Sequence, residues 1–210
     1  TQPSQRKYDA CSVRFPIENI KHTIQMKRKL LPLSFMLFAT IAFAQDVSLR
    51  WGAAIGGTSL DDGSAITTDV SGNVYVAGFF AGTADFDPGS GVSNLTTTGN
   101  ADFFIQKLDA DGNLLWAKRT GGDGIERAED VTTDAGGNVY VTGTFEGTVD
   151  FDPGDGTSNL TSDRGLSVFV QKLDANGDFL WARSVQSSAN GWAIAADGDG
   201  NVYISGGFTN

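Results

Sequence analysis

The chain has 210 residues, with 27 Gly, a single Cys, a single His and a formal net charge of -10. Residues 1–44 hold 7 Lys+Arg against 2 Asp+Glu, whereas residues 45–210 hold 8 against 23, so a basic leader precedes an acidic body. Cys11 and His22 both lie in the leader, which excludes Ser-His-Asp and Cys-His nucleophile systems, His/Cys zinc sites and disulfides from the body, and the body's negative charge argues against binding nucleic-acid phosphates.

Taken in chain order, residues 1–25 precede Met26 and begin with Thr, which predicts an upstream extension, either absent from the natural protein or disordered. Met26-Lys27-Arg28-Lys29, a largely apolar run from Leu30 to Ala44 and the small-residue step Ala42-Phe43-Ala44 before Gln45 have the three parts of a secretory signal peptide. The apolar run has 15 residues, short of the roughly 20 that a helix needs to span a bilayer. This segment, 26–44, predicts export with cleavage after Ala44 and a secreted or outer-surface location. Membrane contact then enters only through export or surface anchoring. Residues 45–50 form the mature N-terminal segment.

From Trp51 the sequence repeats. Trp51, Trp116 and Trp181 are spaced by 65, and residues 51–115 match residues 116–180 without a gap at 33 of 65 positions. Repeat 1 is therefore 51–115, repeat 2 is 116–180, and 181–210 is the start of repeat 3. Four short strands are predicted in each unit by alternation and by β-branched and aromatic content. In the first unit they are Ser64–Thr68, Asn73–Phe80, Phe103–Leu108 and Leu114–Arg119. Asp69-Val70-Ser71-Gly72-Asn73 and Asp109-Ala110-Asp111-Gly112-Asn113 separate the first two and the last two, and Asp and Gly there are the chemistry of tight antiparallel hairpins. Only Ala81–Ala101 is a long connection.

A four-stranded antiparallel unit at a fixed period predicts an all-β fold of β-propeller blades, visible as about 2.5 units. Such a sheet exposes two apolar faces and persists only against a neighbour. Tandem β-sandwich domains, the main alternative, use about 100 residues each. A ring of four to eight blades at this period takes roughly 260 to 520 residues, so further blades of the same chain are expected.

Gly56-Gly57-Thr58-Ser59-Leu60-Asp61-Asp62-Gly63-Ser64-Ala65-Ile66-Thr67-Thr68-Asp69, running into Gly72-Asn73-Val74-Tyr75-Val76-Ala77-Gly78, resembles the bacterial β-propeller repeats often called SBBP repeats. The likeness returns at Gly121–Gly143 and more faintly at Ser187–Gly206. It implies secreted or surface-displayed bacterial proteins, and the Asp-Phe-Asp-Pro-Gly insertion is similar to versions in Bacteroidetes-type bacteria, where a C-terminal sorting domain commonly directs surface attachment.

Asp85 and Asp87, with Asp150 and Asp152 in the next copy, are the candidate metal ligands. Ca²⁺ takes six to eight oxygens, which carboxylates and loop carbonyls supply. The following Pro and Gly also make a rigid corner without any ion. The Asp-rich hairpin turns lack the Gly and Glu that complete an EF-hand loop. Trp51, Trp116 and Trp181 read as packing between units or as sugar-stacking platforms. Trp192 stands apart, because its counterparts are Glu129 and Ser64, and on a channel-lining strand it would meet a ligand. No cofactor and no catalytic constellation are identified, and the acidic pairs Asp61/Asp62 and Glu126/Glu129 have no spacing that selects a glycosidase. The expected function is a non-catalytic scaffold binding a surface glycan or protein ligand, with a structural spacer array and the propeller portion of an exported glycan-active hydrolase as alternatives.

Overall fold

A computed structural model describes residues 49–163, 165–185 and 188–209. The leader with Cys11, His22 and the 26–44 signal lies outside them. The described residues contain strands and no helix. In the first copy these are β1 (Gly56–Gly57), β2 (Asp61–Thr68), β3 (Val74–Phe80), β4 (Thr83–Asp85), β5 (Asn94–Thr96), β6 (Asp102–Leu108) and β7 (Leu114–Gly122). The second copy supplies β8 (Arg127–Thr133), β9 (Val139–Phe145), β10 (Thr148–Asp150), β11 (Asn159–Thr161), β12 (Ser167–Leu173) and β13 (Phe179–Val185). A third begins with β14 (Ser188–Ala196) and β15 (Val202–Thr209).

Blade one is the antiparallel meander β2-β3-β6-β7, blade two is β8-β9-β12-β13, and β14-β15 open a third. The four strands per unit agree with the sequence reading, but a blade runs from Asp61 to Gly122, so its fourth strand carries the Trp of the next sequence repeat. The long connection is also more ordered than expected. It folds into a small hairpin, β4-β5 in one copy and β10-β11 in the other. In the second copy that hairpin pairs through β10 with the end of the preceding fourth strand at Gly121–Gly122, and in the first copy β4 pairs with the short β1 (Gly56–Gly57).

The hairpin turns follow from their Asp and Gly. Asp69 Oδ1 accepts from the Ser71 and Asn73 amides at 2.9 and 3.0 Å, while Oδ2 accepts from Asn73 Nδ2 at 2.7 Å and Tyr75 OH at 3.1 Å. Asp134 does the same with Gly136, Asn138 and Tyr140, and Asp197 with Asp199, Asn201 and Tyr203. The glycine in each turn has φ between 80° and 86°, a left-handed conformation that a Cβ disfavours. Burial by itself would raise the Asp69 and Asp134 carboxyls, but the hydrogen bonds from Asn73 and Asn138 and their neighbours outweigh it and hold both below the ordinary value.

Packing between blades makes the core. Tyr75, Ala77, Phe103 and Ile105 of blade one bury against Val131, Val141, Phe145 and Phe169 of blade two, with Phe103 stacked on Phe169 at 4.7 Å between centroids. Burying each large apolar side chain contributes about 1.5–3 kcal/mol, which is why β6 and β9 are buried on both faces. Each fourth-strand Trp then reaches onto the next blade. Trp116 Nε1 donates to Ala175 O at 3.2 Å, in the turn between β12 and β13, and its ring lies over Gly177, where a Cβ would come within 3.1 Å. Packing between blades is thus the role of Trp116, and Trp51 Nε1 makes the matching bond to Ala110 O at 3.0 Å, in the turn between β6 and β7.

Candidate functional site

The blades converge on their first strands. β8 packs against β2 on one side and β14 on the other, which makes the first strand the inner edge of the stack. Each inner strand carries a β-bulge at the same place. The extra residue is Ser64 in β2, Glu129 in β8 and Trp192 in β14. Opposite the first two bulges stand Gly78 and Gly143, where a Cβ would meet the Asp62 and Arg127 carbonyls at 1.9 Å, so only glycine admits the bulged backbone. Bulges re-aim a side chain and recur beside functional sites.

The inner edge thus holds three different side chains on one repeated frame. Trp192 is 63% exposed, and its ring stands against Gly207 of β15. Burial raises the Glu129 carboxyl; the Arg127 charge offsets this in part and the Asp62 charge adds to it. Asp130, next to the Glu129 bulge, accepts from Val131 N at 2.9 Å and from Ile194 N at 2.8 Å, tying the inner strands of the second and third blades together. The inner strands thus present an exposed indole on the third blade and a half-buried carboxylate on the second, which is chemistry for stacking and hydrogen bonding.

The Asp-x-Asp pairs lie elsewhere, in the hairpins beside the outer strands. Asp85 Oδ1 accepts from the Asp87 and Ser93 amides at 3.0 and 2.8 Å, and these bonds, Ser93 first, lower its pKa. Asp87 Oδ1 accepts from Gly89 N at 2.7 Å. Asp150 and Asp152 repeat the pattern with Asp152, Ser158 and Gly154. The four carboxylates thus sit as two separate pairs, each holding its own corner together. Among the described residues no group of three or more His, Cys, Asp or Glu side chains is placed to hold a metal ion.

Sequence reasoning missed a buried polar junction between the blades. Asp102 is fully buried, pairs with Arg119 and accepts from Thr98 N at 3.0 Å. Glu126, also fully buried, accepts from Gly122 N at 2.8 Å. Burial chiefly, with the charges of Asp102 and Glu146 and against the Gly122 bond, pushes its carboxyl up to about 7. A signal existed in the repeat: Asp102 and Arg119 become Ser167 and Ser184 together in the second copy.

Antiparallel four-stranded blades stacked on a common inner edge define a propeller-type repeat protein. No protein-family model matches the chain. An uncharacterized WD repeat-containing protein of Acanthamoeba polyphaga mimivirus is similar to it, with 27% identity over 187 residues, covering 77% of this chain and 13% of that protein. WD repeats are propeller blades, in agreement with the architecture. The chain spans only a small part of that relative's length.

Proposed function

We propose that this chain is the propeller scaffold of an exported, non-catalytic binding protein, and that a surface glycan is held at the inner edge by stacking on Trp192 with hydrogen bonds to Glu129. The observation that carries this is the repeated bulge. Frame and glycines recur from blade to blade, while the side chain it presents changes from Ser64 to Glu129 to Trp192. The exposed indole at the last of these fits a sugar face, and the SBBP-like pattern and the 26–44 leader support an extracellular setting for it.

The test is a glycan array probed with the exported protein. Binding is expected to survive Asp85→Asn and Asp152→Asn and to be lost in Trp192→Ala. Binding unchanged by Trp192→Ala, or binding to proteins with no glycan retained, overturns the reading. Secretion is checked separately by the N-terminus of the exported product, expected at or beside Gln45.

A further inference from the structure

The outer side of blade one holds a cavity that plays no part in the inner-edge site. In the sheet ordered β11-β10-β7-β6-β3-β2 it lies where β10 meets β7, away from the inner strand β2. Its origin is a strand that stops early. β10 pairs with β7 only through Val149 with Gly122 and Asp150 with Gly121. Phe151 then turns into the core and is fully buried, held by Gln171 Nε2, which donates to Phe151 O at 2.7 Å and to Thr120 Oγ1 at 3.2 Å. Pro153 follows and has no N–H with which to resume the pairing. The β7 edge from Ala117 to Thr120 is therefore left without a partner strand. Across from it stands the Asp152–Gly154 corner, and a cavity of about 300 Å³ lies between them.

The cavity walls carry opposite charges that do not pair with each other. Lys118 and Arg119 line the β7 side, and Asp150 lines the corner side. Arg119 Nη1 is committed to Asp102 and Thr98. The stem of Lys118 passes Gly177, and among the described residues its ammonium forms no hydrogen bond or ion pair. Asp150 Oδ1 accepts from the Asp152 and Ser158 amides, which leaves Oδ2 open to a ligand. Carbon surface comes from Leu95, Ala117 and Pro153. The first copy has the same acidic corner after Asp85, which pairs with Gly56 as Asp150 pairs with Gly121. At the places of Lys118 and Arg119, however, it has Ala53 and Ala54. Of these two corners, only the second faces cations.

We propose that this cavity binds a free α-amino acid with an apolar side chain, its ammonium on Asp150, its carboxylate on Lys118 and its side chain against Leu95, Ala117 and Pro153. A ligand with a single charge satisfies one wall and leaves the other without a counter-charge. A zwitterion satisfies both, and the volume is at the small end of ligand sites, which fits a molecule of this size. Both charged walls stay partly hydrated, so each ion pair contributes little and the affinity is in the millimolar range.

The probe is L-leucine, titrated into the full chain while the backbone amide signals of Lys118–Gly121 are followed. A saturable shift with a Kd of about 1 mM is expected. Isoamylamine, which lacks the carboxylate, and isocaproate, which lacks the ammonium, should each bind about fivefold more weakly or worse. Asp150→Asn keeps an oxygen for the two amides and Lys118→Gln alters a partly exposed side chain, and each should weaken leucine binding by about fivefold. Asp85→Asn, at the corner that faces alanines, should leave it unchanged. No saturation by about 20 mM leucine overturns the proposal. An analogue that binds as tightly as leucine also overturns it, by assigning the cavity to a lone amine or a lone carboxylate. So does wild-type affinity in either cavity variant with a folded amide spectrum, and if Asp150→Asn fails to fold, Lys118→Gln alone decides.

Discussion

The first faces of the two complete blades are built from corresponding residues and end in opposite surroundings. Val131 lies under blade one at 4% exposure, and its counterpart Ile66 lies open at 69%. Backbone, bulge and turn are alike at the two sites, so the difference is due to the neighbour alone. The repeat supplies a surface, and the next repeat turns that surface into a core. This is the nearest-neighbour energetics expected of stacked units, where interface terms add to weak intrinsic ones.

Substitutions at matched positions sharpen or break that comparison. The largest expected effect is Val131→Asp, which buries an unpaired charge in the junction and should lower unfolding free energy by about 4 kcal/mol or more, measured by denaturant titration. Ile66→Asp at the matched site should stay within about 0.5 kcal/mol. Equal losses at the two sites would mean that the open face is covered. Phe169→Ala should follow, costing about 3–5 kcal/mol, because it removes the ring stacked on Phe103 and leaves a cavity. Phe104→Ala should cost less, since the Phe80 and Phe86 rings that pack on Phe104 are partners Phe169 also has in Phe145 and Phe151.

Glu126 gives a smaller effect with a definite pH signature. Its folded value of about 7 lies above the ordinary 4.5, so between these values the folded chain holds a proton that the unfolded chain has released. Stability therefore declines as pH rises from 4.5 to about 7 and levels off above. Glu126→Gln keeps an acceptor for Gly122 N and should remove that slope, raising stability at pH 8 by roughly 2 kcal/mol while changing little at pH 4.5. An unchanged slope would show that the carboxyl titrates normally. Asp134→Ala should cost less, about 1 kcal/mol at neutral pH. Its folded pKa is depressed below 3.8, so its contribution is present above that value and lost as pH falls through the lower folded one. The wild-type and variant stability curves should converge there.

Much of the fold was legible because the repeat exposes it. The 65-residue period, the Asp and Gly of the turns and the alternation in Val74-Tyr75-Val76 are local signals, and local geometry obeys them. The β4-β5 hairpin was not legible, since Thr83-Ala84-Asp85 and Asn94-Leu95-Thr96 are too short and polar to show a period, and what holds them is pairing with a distant Gly-Gly step. The candidate site was legible only in outline. Trp192 stood out by its mismatch with Glu129 and Ser64, but the bulge beneath all three leaves no compositional mark except the Gly78 and Gly143 opposite. The Asp102, Arg119 and Glu126 junction is a tertiary product, joining residues whose charges read as surface until the blades are stacked.

The indole clamp of Trp116 on the Ala175 turn has one further consequence. It joins the last strand of one unit to the last turn of the following one, so every added copy arrives with both halves of its own fastening. Lengthening such an array by duplication requires no new surface to be invented, and tandem growth of this protein is mechanically ready-made.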